Sequence, residues 1–334
     1  PVLSAAEVTE VSDHVRQQTQ KTLKTYSTGR IIDVIDAAIA RLLDRQDPYR
    51  QKMEDLLPVI TGYDREMVRL GLTRYLKTFR KPELLRFLAE DFPNPQILDG
   101  FQPLIKGGFG QAYGPDLLAH IWAGNVPGLP LWSLVSGLLV KAGNIGKTSS
   151  AEPLFAVWFA QVLAEVDPDL GGCLAIMWWR GGRATPETAL LAEADVALGF
   201  GSNQTLEQIR LRTPITTRFL AYGHKISFSV IGAAALDAQK AAATACLAAA
   251  DIIHYDQQGC YAPQVLFVER NGAVSPEIFA QFVARELAIG EQKYPRRGLD
   301  IAQKNSISSW VFDEEMMGES SVISDSSGTW AVSF

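Results

Sequence analysis

A cysteine sits inside the stretch Asp256-Gln257-Gln258-Gly259-Cys260-Tyr261-Ala262-Pro263-Gln264-Val265-Leu266-Phe267-Val268-Glu269. Gln-Gln-Gly precedes it and a β-branched, apolar run follows it. Upstream, residues 233–250 are Ala-rich, with strong helix propensity. The order predicts helix, tight turn, cysteine, strand. Gly259 is expected to let the backbone turn sharply beside the sulfur. A cysteine on such a turn can present its thiolate to a pocket, and its own N–H can face the same pocket. The chemistry offered is nucleophilic: a thiolate that takes an acyl group. The competing reading is a small buried hydrophobe, the usual place of a free cysteine.

A catalytic thiol must ionise near neutral pH, against an unperturbed pKa of about 8.5. His254 and His224 are candidate neighbours for that purpose. His254, six residues before Cys260, reads equally well as a helix-end residue. His120 reads as structural near a strand end, and His14 as exposed. Cys173 lies in an apolar strand pattern and Cys246 in the Ala-rich helix, so both read as inert core residues.

Three cysteines, widely spaced and without C-x-x-C, suggest neither a disulfide framework nor a zinc site. A reducing, cytoplasmic setting suits them. With 334 residues, 47% hydrophobic and 20% charged, the chain can bury a large core. A net charge of −6 argues against broad nucleic-acid binding while allowing a local basic pocket. No N-terminal signal pattern is seen. The most apolar run, residues 126–140, is too short to span a bilayer and contains prolines.

Residues 1–100 read as helical and peripheral, with Ile31-Ile32, Val34-Ile35, Ala38-Ile39 and Leu42-Leu43 recurring at helical spacing. Beyond residue 100 strands alternate with helices. Strands are expected at 117–122, 144–147, 173–179, 195–200 and, as a fifth, 226–231. Helices are expected at 131–140, after Pro153 with Thr148, Ser149 and Ser150 able to cap it, at 186–193 and after Ser202. This alternation predicts an α/β fold with a parallel sheet. In such sheets ligands bind at the carboxyl ends of strands. Asn125, Lys147, Arg180 and Gly201-Ser202 each follow a strand and could share one crevice. No G-x-G-x-x-G follows the first strand.

Two further segments carry a resemblance. His120-Ile121-Trp122-Ala123-Gly124-Asn125-Val126-Pro127-Gly128-Leu129-Pro130 and Gly143-Asn144-Ile145-Gly146-Lys147-Thr148-Ser149-Ser150, taken with the cysteine stretch, resemble the aldehyde dehydrogenase superfamily, and within it the LuxC-type long-chain acyl-CoA reductases. The resemblance covers about residues 100–330. It implies a Rossmann-type nucleotide-binding domain at 101–252, a smaller α/β catalytic domain at 253–334, incomplete at its C-terminus, and a helical segment at 1–100. By position it gives Cys260 the role of catalytic thiol. Asn125 becomes an oxyanion donor, Lys147 the lysine on the cofactor's adenosine ribose, and Gly201-Ser202 the turn near the pyrophosphate. Ser149 falls beside Lys147 in the same cofactor segment. Tyr222-Gly223-His224-Lys225 stands where the superfamily has Leu-Gly-Gly-Lys, so His224 replaces a glycine. Ala221 stands where hydrolytic members carry the glutamate that activates water. That departure suits a thioester exchanged with a thiol such as CoA.

The cofactor choice has a physical handle. No acid follows Lys147 until Glu152, while Arg180 and Arg183 bracket a glycine pair, and arginine suits a 2′-phosphate. The expectation is an NADPH-dependent enzyme reducing a long-chain acyl-CoA to the aldehyde through an acyl-Cys260 thioester. It would act as a homo-oligomer or with acyl-transfer partner proteins. Three rivals stay open: an NAD-dependent CoA-acylating dehydrogenase for short aldehydes, a cysteine acyltransferase or thioesterase without hydride transfer, and a non-catalytic binding module. Trp122, Leu129, Leu131 and Trp132 could line an acyl tunnel or simply pack the core.

Overall fold

Ser4 and Glu7 open the first helix reciprocally. The serine hydroxyl accepts from the Glu7 amide and the Glu7 carboxylate accepts from the Ser4 amide, a capping box. The computed structural model describes residues 3–316, 318 and 320–334. Its helices begin with α1 (Ala5–Lys21), α2 (Thr28–Leu43), α3 (Pro48–Thr61), α4 (Arg65–Lys77) and α5 (Lys81–Asp91). In α2, Ile31, Ile32, Ile35, Ala38, Ile39 and Leu42 form the buried stripe that the helical spacing predicts. Pro82 occupies the first turn of α5, where its missing N–H costs nothing.

Backbone contacts divide the chain into two units. One comprises Pro1–Thr61 and Leu70–His224, the other Gly62–Arg69 and Lys225–Phe334. Residue 252 lies within a helix, and the N-terminal helix α1 packs into the core of the first unit. Val8 and Val15 of α1 are fully buried against the strands that follow, in one core with Leu117, Ile121, Ile145 and Leu190.

In the first unit a short ribbon, β1 (Gln102–Pro103) and β2 (Phe109–Gly110), precedes a five-stranded sheet. Its strands are β3 (Leu117–Ile121), β4 (Gly143–Lys147), β5 (Leu174–Met177), β6 (Val196–Phe200) and β7 (Arg218–Tyr222). Their order is β5-β4-β3-β6-β7, all parallel. The helices are α6 (Pro130–Leu139), α7 (Phe155–Val166), α8 (Pro168–Gly171), α9 (Ala184–Glu193) and α10 (Asn203–Arg212). Every residue of β3 and β4 is buried, as a parallel sheet covered on both faces requires. Gly146 is glycine because Trp122 lies across it; an added Cβ would sit 1.9 Å from the indole.

Two expectations are corrected here. The fifth strand of the sheet is β7, not 226–231. Its burial pattern is mostly exposed, as suits an edge strand, so it lacks the apolar run of a buried one. The cap of α7 is not a hydroxyl either. The Glu152 carboxylate accepts from the Leu154 and Phe155 amides, both at 2.8 Å, while Ser149 Oγ accepts from Ala151 N.

The second unit holds β8 (Ser227–Ile231), α11 (Ala241–Ile253), β9 (Pro263–Val268), α12 (Pro276–Lys293), α13 (Ile301–Met316) and the hairpin β10 (Val322–Ser324) with β11 (Ala331–Ser333). Strands β8 and β9 pair in parallel, with a bulge at Ser227/Phe228. The alanine stripe Ala241, Ala245 and Ala249 packs with Phe279, Val283 and Leu287 of α12. Small residues permit close approach: a Cβ on Gly290 would meet Ile253 Cδ1 at 2.1 Å. Cys246 is exposed, so the core reading holds for Cys173 and not for Cys246. No helix among the described residues is long and apolar enough to cross a membrane.

Candidate active site

The segment leading to Cys260 departs from ordinary backbone geometry. After α11 a 3₁₀ turn, His254–Gln257, carries Tyr255, Asp256 and Gln257 at φ of 49°, 52° and 63°. Left-handed backbone is disfavoured for residues with a Cβ, by about 1–2 kcal/mol each. Several contacts hold it. Tyr255 is buried, with its ring 5.2 Å from Tyr63 in an edge-on arrangement. The Gln257 side-chain amide donates to the Pro263 carbonyl at 2.8 Å, closing a loop with Cys260 midway between the two. Inside the loop, Gln258 N donates to Tyr255 O and Ala262 N to Gly259 O. Ser227 Oγ donates to the Cys260 carbonyl from β8. The Cys260 side chain is exposed, so the turn presents its thiol rather than burying it.

Gly259 acts differently from expectation. The left-handed residues are the three before Gln258, and Gly259 is not among them. Its missing Cβ makes room for the Tyr261 ring, which would lie 2.7 Å from a methyl group there. His254 Nδ1 lies 3.0 Å from the Ala250 carbonyl, which ties the ring to the end of α11 and realises its helix-end reading.

In the first unit the sheet register sets Met177, Lys147, Ile121, Gly199 and Ala221 in one row across the five strands. Asn125, Ser149, Arg180 with Arg183, Gly201-Ser202 and His224 all emerge beyond that row. The structure thus places all of them at the carboxyl edge, where open parallel sheets bind ligands. The strand order reverses at β3, and the loops after β3 and β6 flank that switch point.

Each position has a definite environment. Lys147 is 8% exposed and has no hydrogen bond or ion pair among the described residues. Burial pulls its pKa below the ordinary lysine value, and the Glu187 carboxylate acts against that. Glu187, 4% exposed in the first turn of α9, is itself paired with Arg212 at 2.5 Å. Arg180 and Arg183 are exposed on the loop after β5, and neither makes an ion pair among the described residues. Ser202 caps α10, accepting from Thr205 N, so the first amides of a ten-residue helix open at this edge. Asn125, Ala221 and His224 are exposed. Trp122 and Leu131 are core residues, while Trp132 packs edge-on against Phe79 and Phe87.

Sequence reasoning missed Glu187 with Arg212, and Asp256 with Arg297. Glu187 carries the signal of an ordinary acid in a helix's first turn. Nothing local marks either pair, since both are made by folding.

The donor set fits a dinucleotide. A buried lysine stem and two arginines, without ion pairs among the described residues, share one sheet edge with an open helix N-terminus. The profile of the acyl-CoA reductase (LuxC) family matches residues 23–334. The long-chain acyl-protein thioester reductase 2 of Photobacterium leiognathi is 27% identical over 244 residues, 70% of this chain and 48% of that protein. The long-chain acyl-protein thioester reductase of Photobacterium phosphoreum is 29% identical over 212 residues, 62% of this chain and 42% of that protein. The chain thus spans about half the length of these relatives. Among solved structures, an indole-3-acetaldehyde dehydrogenase complexed with NAD+ aligns with TM-score 0.71 at 17% identity, covering 96% of this chain and 64% of that one. The glyceraldehyde-3-phosphate dehydrogenase GapN of Methanocaldococcus jannaschii, complexed with NADP, aligns with TM-score 0.69 at 13% identity, covering 97% and 69%. The fold is therefore that of the aldehyde dehydrogenases, and the chain belongs to the LuxC family of acyl-CoA reductases.

Proposed function

We propose that this protein reduces a long-chain acyl thioester to the aldehyde, with Cys260 as the acyl carrier and NADPH as the reductant. The observation that carries the proposal is the clamped turn that exposes the Cys260 thiol between α11 and β9. The relatives' names specify acyl-protein thioesters and the family's name acyl-CoA. Acyl-CoA is the donor proposed here.

The Cys260 thiolate attacks the carbonyl carbon of the donor. The new carbon–sulfur bond forms as the bond to the leaving CoA sulfur breaks, and CoA departs as a thiol after taking a proton. When bound, the reduced nicotinamide supplies a hydride to the thioester carbon. Collapse to the aldehyde then breaks the carbon–sulfur bond and returns Cys260 as the thiolate. Negative charge grows on the acyl oxygen along the way, where a donor is worth about 3 kcal/mol. The Cys260 backbone N–H is the donor proposed within the second unit, and Asn125 keeps the donor role that the resemblance gives it. Lys147 and the opening amides of α10 would hold the ribose and pyrophosphate. Arg180 and Arg183 would take the 2′-phosphate, a role favoured by their lack of ion pairs among the described residues. Ser149 and His224 border the same edge. His254, tied to its helix, is assigned no proton transfer.

The test is covalent. Intact mass after mixing with palmitoyl-CoA should show one acyl adduct, absent in Cys260→Ala, while NADPH still enhances in fluorescence on binding that variant. An adduct of equal yield in Cys260→Ala would reject the proposal. Parallel trials with an acylated carrier protein and with acetyl-CoA separate the acyl-protein and short-chain alternatives.

A further inference from the structure

We infer that Asp256 and Arg297 form a clasp that positions Cys260, and that the clasp governs how fast the acyl group is accepted rather than how tightly the donor binds. The inference rests on the proposed role of Cys260 and adds to it two positioning residues that make no contact with substrate.

The geometry is local to the second unit. Asp256 is the middle one of the three left-handed residues, so whatever fixes its side chain holds the run at its centre. Its carboxylate is 7% exposed and, among the described residues, reaches Arg297 alone. Arg297 meets it twice: Nε lies 3.4 Å from Oδ2 and the backbone N–H donates to the same oxygen at 3.4 Å. Burial pushes the Asp256 pKa up while Arg297 and Arg296 pull it down. Arg297 is held from its other side by the face of Tyr63, with Cζ 5.1 Å from the ring centroid. Tyr63 is 3% exposed and also packs against Tyr255. Three separate segments, around Tyr63, Asp256 and Arg297, thus converge on the residues that launch the Cys260 turn. The second hold, from Gln257 to the Pro263 carbonyl, then fixes the two ends of the loop that carries the sulfur.

A buried aspartate with one cationic partner costs stability if that partner is lost. A turn that needed no fixed shape would relax to right-handed backbone and leave the carboxylate in solvent. Retaining both the left-handed run and the buried carboxylate makes sense where the orientation of the next few residues matters.

The experiment compares wild type, Arg297→Ala, Asp256→Asn and Arg297→Lys for acyl-enzyme formation from palmitoyl-CoA by rapid quench and intact mass. Asparagine tolerates left-handed backbone and keeps the side-chain volume, so Asp256→Asn removes only the charge. Expected is a fall of at least 10-fold in the maximal acylation rate for Arg297→Ala and Asp256→Asn. The half-saturating palmitoyl-CoA concentration should stay within twofold, and Arg297→Lys should recover part of the rate. Maximal rates within twofold of wild type in both, or a loss entirely in half-saturation, would overturn the clasp. If wild type itself takes no acyl group, the parent reading has failed. The clasp is then read from iodoacetamide alkylation of Cys260 mapped on its peptide, with exposed Cys246 in the same sample as reference. Alkylation of Cys260 should fall at least fivefold in Asp256→Asn with Cys246 unchanged. An unchanged or faster Cys260 rate would overturn the inference on its own terms.

Discussion

Replacing Lys147 with methionine should weaken the cofactor and stabilise the protein at the same time. The side chain is 8% exposed and its ammonium has no partner among the described residues. A charge-assisted hydrogen bond contributes about 1.5–3 kcal/mol, so its loss should raise the Kd for NADPH about 10- to 150-fold. A buried charged group without a partner costs about 1–3 kcal/mol or more. Methionine keeps the stem's packing and removes that cost, and each kcal/mol is worth roughly 2–4 °C in Tm at this size. The pH dependence has a definite sign. Burial lowers the Lys147 pKa below its ordinary 10.5, so the folded protein binds this proton less tightly than the unfolded chain does. The penalty is full below the folded-state pKa and fades as pH rises toward 10.5. The gain in Tm from methionine should fade over the same window. Fluorescence titration with NADPH and thermal melts between pH 7 and about 10.5 supply both measurements. A methionine variant with unchanged Kd, or with a lower Tm at neutral pH, would refute the reasoning.

Replacing Arg180 and Arg183 together by alanine should weaken NADPH by about 10-fold or more, since one charge-assisted contact is worth that much, and leave NADH within about twofold of wild type on the same scale; equal losses in paired titrations would reject the 2′-phosphate assignment. Ala221→Glu should raise fatty-acid release from the pre-acylated protein, because general-base assistance supplies about 10²–10⁴-fold and alanine has no acceptor. Free-acid release from the unmodified protein as fast as exchange with added thiol would restore a hydrolytic reading. Gly259→Ala should destabilise by about 1–3 kcal/mol through overpacking against Tyr261. In a Tyr261→Ala background that loss should vanish in denaturant melts; if it persists, the glycine is needed for its backbone after all.

Legibility in the sequence followed the range of the interactions. Strand β3 could be read because a parallel sheet buried on both faces leaves a mostly apolar run, Leu117–Ile121, interrupted by the buried His120. The helix-turn-cysteine-strand order was equally local. β7 escaped because Arg218–Tyr222 lies at an edge and carries an arginine and an exposed tyrosine, so its pattern is that of a surface segment. The cap of α7 was assigned to the hydroxyls nearest in sequence, whereas Glu152 has the reach to accept from two amides at once. The turn before Cys260 was assigned to its glycine because glycine is the residue that turns freely. The structure instead puts the left-handed backbone on Tyr255, Asp256 and Gln257, and a tertiary contact 41 residues away stabilises it. No composition or spacing could announce that.

Three cations are buried among the described residues: Arg50, Lys141 and Lys147. Arg50 is paired with Glu54 at 2.8 Å and Lys141 with Asp99 at 2.7 Å. Folding thus supplies a carboxylate wherever a buried cation serves only the fold, as desolvation demands. Lys147 breaks the pattern. The acid that acts on it, Glu187, is paired with Arg212. The cost of leaving an ammonium buried and unpaired is retained at the carboxyl edge of the central sheet and nowhere else in this set. In the other unit the left-handed run at Tyr255–Gln257 is a second retained cost, on the order of 1–2 kcal/mol per residue. Departures of this kind persist in folded proteins where function draws on them. A ligand bearing hydroxyls or phosphate is the partner proposed for Lys147, and a fixed thiol is what the left-handed turn is proposed to secure. One departure is a buried lysine at the carboxyl edge of the sheet, the other the left-handed run that ends three residues before Cys260, the two positions to which the proposed function assigns reductant and substrate.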